Sequence, residues 1–241
     1  MRLGASGAAA TKDVEPRGAG ASFGCSAPIS CCRVRRGDRF LAMHKPFSQA
    51  CENNKQPILA VLRRHFGGVH EVLEIGSGTG QHAAFFAEHL PHLVWQTSDL
   101  IENHSGINAW IDEAAANNLR RPLALDVTSR PWPHGATDAV FSANTAHIMA
   151  WPAVEAMIAG VGTVLAPGGV FCLYGPFNYD GEYTSESNAF FDHSLRQRDP
   201  ASGIRDFEKV DALARDAGLE LIEDQAMPAN NRTLTWRLKP G

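Results

Sequence analysis

The chain has 241 residues, 44% of them hydrophobic and 20% charged, with a formal net charge of −4. This suits one α/β domain with some extra sequence and excludes global disorder. Residues 1–42 hold seven Lys or Arg against three Asp or Glu, while the rest of the chain holds fifteen against twenty-three; so acidic a main body argues against a nucleic-acid partner.

Residues 1–42 are rich in Gly, Ala, Ser and Arg, lack sustained periodicity and read as a disordered N-terminal extension. They contain no continuous apolar run of the kind a secretory leader needs. Asp13, Glu15 and Asp38 interrupt the acid-poor composition of an organellar transit peptide. The expected location is therefore cytoplasmic. The composition changes at Met43, so residues 1–42 are either a genuine tail or sequence upstream of a natural start at Met43.

One domain is expected over residues 43–241. "QPILAVLRRHF" (56–66) predicts a helix with Pro57 in its first turn. "EVLEI" (71–75) predicts the first strand and "QHAAFFAEHL" (81–90) the helix after it. "HLVWQTSD" (92–99) is a strand, "GINAWIDEAAANNL" (106–119) a helix, and "PLALDV" (122–127) and "DAVFSAN" (138–144) are strands. "PAVEAMIAGVGTVL" (152–165) is a helix, followed by the strand "GGVFCLYGPF" (168–177), the helix "FEKVDALARDAGL" (207–219) and the strands "LELIEDQAM" (219–227) and "RTLTWRLK" (232–239). In the last of these Leu234, Trp236 and Leu238 alternate with Thr233, Thr235 and Arg237, which predicts one buried face. Alternating strands and helices give a Rossmann-like, doubly wound, seven-stranded, mostly parallel sheet, closed by a C-terminal antiparallel hairpin. Residues 156–179 carry no charge, but Pro167-Gly168-Gly169 divides them into a helix, a tight turn and a buried strand, which speaks against a membrane span.

Five cysteines are present, three of them (Cys25, Cys31, Cys32) in the extension. Their odd number and uneven spacing do not suggest a disulfide framework, and no compact Cys/His cluster suggests a metal. Cys172 lies in an apolar run and reads as a small core residue.

The stretch "EIGSGTG" (74–80) follows the first strand and precedes a helix, the context in which a glycine-rich loop binds a nucleotide. In such a sheet the ligand sits beyond the carboxyl ends of the strands at the topological switch point. Gly76 and Gly78 permit a sharp turn and close approach, Ser77 stands between them, and Gly80 lets the helix pack near the strand. Asp99, nineteen residues after Gly80, is placed to accept both ribose hydroxyls. Glu74 would repel a pyrophosphate at the helix N-terminus but suits the ammonium and sulfonium of S-adenosylmethionine. Asp126, ending the third strand, adds another acid within reach of an adenine amino group. NAD is the competing cofactor, and the chain lacks the GK[ST] of a P-loop.

With these residues in view the sequence resembles the class I S-adenosylmethionine-dependent methyltransferases. "EVLEIGSGTG" is similar to their first motif, "QTSD" to the acidic end of the second strand, and "LAPGGVFCLYGPF" to their turn into the fifth strand. More narrowly, "KPFSQACENNKQPIL", "GIRDFE" and "MPANN" resemble the DUF938 (UPF0585) family over about residues 43–241. The resemblance implies that Glu74, Gly76 and Gly78 line the methionine part of the cofactor and that Asp99 holds the ribose. It also implies Leu100 against the adenine, Asp126 and Val127 at the adenine edge, and Asn144 facing the reacting end. "SANTAHIM" replaces the Asn/Asp-Pro-Pro-Tyr/Phe motif of amino-group methylases of nucleic acid and protein glutamine, which favours a small-molecule acceptor.

Methyl transfer is an in-line displacement that chiefly needs alignment, with a base where the acceptor starts protonated. His147, just beyond the fourth strand, is the base candidate, and a packed or helix-capping histidine is the alternative reading. Asn178 and Tyr179 follow the fifth strand and are expected to orient the substrate, Tyr179 with a catalytic role. Turn formation by Asn178, Asp180 and Gly181 is the alternative. Arg205 is expected either to clamp a substrate carboxylate or to form a salt bridge. "FSQACENNK" (47–55) is expected as a lid over the site, with Asn54 binding substrate; helix capping is the alternative for at least one of Asn53, Asn54 and Lys55. Residues 176–203, with Phe190 and Phe191, are expected to cover the acceptor. The expected assembly is a monomer or homodimer. A nicotinamide oxidoreductase and a non-catalytic S-adenosylmethionine-binding interaction protein are the competing readings.

Overall fold

A computed structural model of the protein describes residues 45–240. The expected extension over 1–42, the alternative start at Met43, and Cys25, Cys31 and Cys32 lie outside the described residues.

Helix α1 (Gln49–His65) opens the domain. The Ser48 hydroxyl caps it, accepting from the Cys51 N–H at 3.4 Å. The helix therefore begins seven residues before the predicted start, and Pro57 sits inside it, not in its first turn. The "FSQACENNK" segment, expected as a lid, supplies the first two turns. Apolar spacing in this region begins only at Ile58, so periodicity missed the polar turns in front of it.

Then follow β1 (Glu71–Ile75), α2 (Gln81–His89), β2 (Val94–Asp99), α3 (His104–Glu113) and β3 (Leu119–Ala124). Helix α3 ends six residues before its predicted end. Asn118 explains the break: its Nδ2 donates to the carbonyls of Ala87, Leu90 and Leu93 at 3.0, 3.2 and 2.7 Å, fixing the chain at the entrance of β3. β3 accordingly starts and ends three residues earlier than expected, which leaves Asp126 in the turn beyond it.

β4 (Thr137–Ala143), α4 (Trp151–Val164) and β5 (Leu165–Gly175) complete the parallel core. The Pro167-Gly168-Gly169 segment, expected as a separate tight turn, lies within the start of β5, where the register against β4 shifts between Thr137 and Ala139. Two-residue strands β6 (Phe177–Asn178) and β7 (Arg205–Asp206) pair with each other and flank α5 (Glu186–Arg198). That helix was not predicted. It is polar apart from Phe190, Phe191 and Leu195, so its stripe is too thin to read. Its start is set by the Ser185 hydroxyl, which accepts from the Asn188 N–H at 3.1 Å. Helix α6 (Phe207–Asp216) and the strands β8 (Leu219–Met227) and β9 (Asn231–Leu238) end the chain.

The seven-stranded sheet has the order β3-β2-β1-β4-β5-β9-β8, and β9 alone runs against the rest. It is the expected Rossmann-like sheet with its C-terminal hairpin. One apolar layer joins α1 and α2 to Val72, Trp95, Phe141 and Cys172; the other joins α4 and α6 to Leu73, Val140, Phe171 and Trp236. Cys172 is fully buried, as expected. β9 departs from the expected single buried face. It lies between β5 and β8, and Thr233 and Thr235 are as buried as Leu234 and Trp236. Among the described residues no helix is long and apolar enough to cross a membrane.

Candidate functional site

The order of the strands reverses between β1 and β4, and the loops after them part there. A cavity of about 630 Å3 opens at this point. Of the residues expected at the cofactor, Gly76, Ser77, Gly78, Asp99, Leu100, Asp126, Val127 and Asn144 line it, as does His147.

The glycine loop is held by its own strand neighbours. Ser98 O accepts from the N–H groups of Gly76 and Ser77, both at 3.0 Å, and Ser77 O from that of Gly80 at 2.9 Å. The Gly78 N–H donates to Asp99 Oδ2 at 2.7 Å, and Asp99 Oδ1 accepts from the Leu100 N–H and the Asn103 amide, also at 2.7 Å. Three of the carboxylate's roughly four acceptor sites are thus taken, which leaves capacity on Oδ2 facing the cavity. Gly76 has φ +71°, and a Cβ there would stand 2.5 Å from Thr145 Cγ2. Gly80 has φ +88°, and its Cβ would meet Ile107 Cα at 2.9 Å. The close approach at Gly80 is therefore to α3, not to the strand as expected.

Glu74 does not line the cavity. It is buried beneath the loop, where Oε2 accepts from Ser77 Oγ at 2.7 Å and Trp95 Nε1 at 3.1 Å. Burial pushes its carboxyl up to about 7 against the pull of those two bonds, with the Asp99 charge pushing further. Its observed contacts brace the loop, and the expected place against the methionine part is not where the structure puts it. The Asp126 carboxylate is exposed. Its Oδ1 accepts from the Thr128 hydroxyl and N–H at 2.7 and 2.9 Å, which hold it below the usual carboxylate range.

Two histidines face the cavity, and both are buried. His147 is driven down to about 4 by burial and, second, by the Arg205 charge, so it is neutral at pH 7. Its ring meets Phe191 edge to face at 5.3 Å. His82, which the sequence did not single out, is also driven to about 4 by burial. Its Nε2 lies 2.6 Å from Asn54 Oδ1. It comes from α2, and Asn54 and Cys51 come from the first turns of α1. The signal in the sequence was the spacing of Ala50, Cys51 and Asn54 on one helix face, hidden because that stretch reads as polar loop.

A second chamber of about 360 Å3 adjoins the first, and Ala50, Asn144 and Phe191 line both. Asn54 belongs to it, with Tyr174, Asn188 and the turn between β8 and β9. Phe191 thus stands where the covering segment was expected, while Phe190 points outward and is 74% exposed. Asn144, at the junction, has φ +60°.

The remaining expected substrate residues lie elsewhere. Arg205 is buried and donates to the carbonyls of Ala146 and Ala201 at 2.9 Å each and to that of Met149. Among the described residues neither the expected substrate clamp nor the alternative salt bridge is seen: its guanidinium ties the loop after β4 to β7. Asn178 shares with it a separate recess that includes Tyr183 and Lys209. Tyr179 lines neither chamber. Its hydroxyl donates to Asp224 at 2.8 Å and its ring stacks on Phe207, so the expected catalytic role finds no geometric support. The Asp224 carboxylate that fixes this hydroxyl sits on β8, too distant in sequence to be foreseen.

The sheet order, with a glycine loop at the switch point, defines the Rossmann-like fold of S-adenosylmethionine-dependent methyltransferases. The chain belongs to the DUF938 family, described as a protein of unknown function, which it matches over residues 45–238. Three solved structures show the fold. An O-methyltransferase family protein from Burkholderia thailandensis superposes with a TM-score of 0.71 at 18% identity, over 80% of this chain and 58% of that one. The S-adenosylmethionine-dependent methyltransferase SibL in its apo form gives 0.68 at 21%, over 80% and 56%. Human N-acetylserotonin methyltransferase in complex with SAM gives 0.67 at 14%, over 80% and 53%. The chain thus spans little more than half the length of each.

Proposed function

We propose that this protein is an S-adenosylmethionine-dependent methyltransferase acting on a small molecule. The observation that carries the reading is the charge of the larger cavity. Among the described residues it is lined by two carboxylates, Asp99 and Asp126, and by no Lys or Arg, and both of its histidines are neutral at pH 7. The loop N–H groups that would cradle a pyrophosphate are donated instead to Ser98, Asp99 and Ser77. Such a site disfavours a dinucleotide and suits a cationic nucleoside. Glu74, expected in this role from the sequence, is buried beneath the loop; Asp99 and the satisfied loop take its place.

In this reading the free acceptor site on Asp99 Oδ2 takes one ribose hydroxyl, with Leu100 and Val127 beside the base and Asp126 at its edge. The cofactor, when bound, supplies a methyl carbon activated by sulfonium. His147 is available as a neutral base that takes up the acceptor's proton as the acceptor atom grows more acidic during transfer. Asn144, shared by the two chambers, stands where donor and acceptor would meet.

Calorimetric titration with S-adenosylmethionine and with NAD tests the cofactor. Binding of the first without the second is expected, and NAD binding alone would refute the proposal. Catalysis is tested with labelled methyl donor and a metabolite extract: methylated product that falls sharply in His147→Ala, with cofactor affinity retained, is expected. Cofactor binding without any product would leave the non-catalytic reading standing instead.

A further inference from the structure

We infer that the smaller chamber is the acceptor site and that it takes a small, electrically neutral molecule carrying hydroxyl or amide groups; this rests on the methyl-transfer reading above. Among the described residues that line the chamber there is no Lys, Arg, His, Asp or Glu. Besides Ser187, its polar walls are amides and one phenol: Asn53, Asn54, Asn144, Asn188, Asn231 and Tyr174.

The bonds these side chains make to the protein determine which ends face the chamber. Asn188 Nδ2 donates to Asn230 O at 3.1 Å and to Thr184 Oγ1 at 2.9 Å, so its Oδ1 is left as an acceptor. Asn231 Nδ2 donates to the carbonyls of Pro228 and Ala229 at 3.2 and 3.3 Å, which likewise leaves Oδ1. The carbonyl partners admit no other orientation of either amide. Asn53 and Asn54, both on α1, contribute two further amides: Asn53 Oδ1 accepts from Gln49 Nε2 at 3.0 Å, and the Asn54 amide lies 2.6 Å from His82 Nε2 and bonds the Tyr174 hydroxyl. Asn188 and Asn231 therefore present acceptors, and α1 adds amides that carry no net charge.

A carboxylate or ammonium placed here would lose water without gaining a counter-ion, which is costly. A hydroxyl or amide recovers the bonds it loses, because it both donates and accepts. Phe191, Pro176 and Pro228 supply apolar walls for the rest of the molecule. The chamber volume, about 360 Å3, lies at the small end of ligand pockets. Chemistry balances with such an acceptor: its lone pair forms the new bond to the methyl carbon as the carbon–sulfur bond breaks, sulfur keeps that electron pair, and the displaced proton passes to His147.

The test uses four aromatic probes of one size: benzyl alcohol, benzamide, benzoate and benzylamine. Binding to the full chain is followed by ligand-observed NMR, in the presence of S-adenosylhomocysteine and in its absence. S-adenosylhomocysteine affinity is measured separately by calorimetry. Benzyl alcohol and benzamide are expected to bind at least about tenfold more tightly than the charged pair. Asn53→Leu, on the exposed face of α1 and outside the cofactor cavity, is expected to weaken them by a similar factor while S-adenosylhomocysteine affinity holds. Preference for benzoate or benzylamine, binding of none of the four, or neutral binding indifferent to both Asn53→Leu and Asn231→Leu would overturn the inference. Failure of S-adenosylhomocysteine to bind, with the probe results intact, would instead remove the cofactor reading.

Discussion

The two chambers meet at Asn144 and Phe191 but are built by different means. The larger is made by loops that leave adjacent parallel strands, and its key bonds are backbone to backbone or backbone to Asp99. The smaller is assembled from α1, α5, the end of β5 and the turn between β8 and β9, and two of its bonds, Asn188 to the Asn230 carbonyl and Asn54 to His82, join residues far apart in sequence. The first is tied to the sheet by backbone bonds from Gly76 and Ser77 to Ser98. The second depends on how separate elements dock, and its chemistry is free to differ where the first is constrained.

Substitutions in each chamber should separate these two modes. The largest effect is expected at Gly76→Ala, where both the positive φ and the contact with Thr145 Cγ2 oppose a side chain. A loss of about 3 kcal/mol in urea unfolding is expected, partly restored by Thr145→Ser, which removes the obstructing methyl. Full stability in Gly76→Ala would show that the loop is looser than the sheet bonds imply. Asp99→Ala should weaken S-adenosylmethionine by about 100-fold, because it removes both the proposed ribose acceptor and the partner of Gly78. Calorimetry giving wild-type affinity would strip Asp99 of that part.

Glu74 offers a test by pH. Its folded pKa of about 7 lies above the ordinary carboxylate value, so the folded state holds the proton longer than the unfolded chain. Ionisation of Glu74 therefore costs stability as pH rises from the ordinary value to 7, and that cost is absent below it. Glu74→Gln should be more stable than the wild type by about 2 kcal/mol at pH 8, with the difference vanishing near pH 4. A constant difference across that range would mean that the carboxyl is not buried as described. His82 and His147 act in the opposite sense. Their folded values near 4 make the wild type lose stability as pH falls below the ordinary histidine value, and a His82→Asn variant should flatten that part of the curve. The smallest effect is expected at Tyr179→Phe. It removes one bond to Asp224 outside both chambers, at about 1 kcal/mol, with S-adenosylmethionine affinity unchanged. A large fall in methyl transfer in that variant would return Tyr179 to the chemistry.

The glycine loop and strand-end acid of the larger chamber were legible because their signals are local, whereas His82 was not. Gly76, Gly78 and Asp99 sit at fixed offsets from strand ends, and strand ends are marked by alternation and apolar runs. Glu74 shows the limit of that reading. Its position was visible, but whether the carboxylate turned to the ligand or under the loop depended on Trp95 and Ser77. Tyr179 and Arg205 lie near the correct edge in sequence, yet Asp224 and three backbone carbonyls hold them elsewhere. Helix α5 escaped notice because its apolar stripe is thin, and the first turns of α1 because they are polar.

The sequence by itself determined the alternation of strands and helices, the open sheet with its closing hairpin, and the glycine loop at the switch point, since these follow from periodicity and from backbone conformations that only certain residues adopt. Tertiary structure decided which polar groups remain available for a ligand. That choice turns on long-range hydrogen bonds: Asn188 to Asn230, His82 to Asn54, Tyr179 to Asp224. Each joins residues whose proximity arises only when separate elements of the chain have packed together.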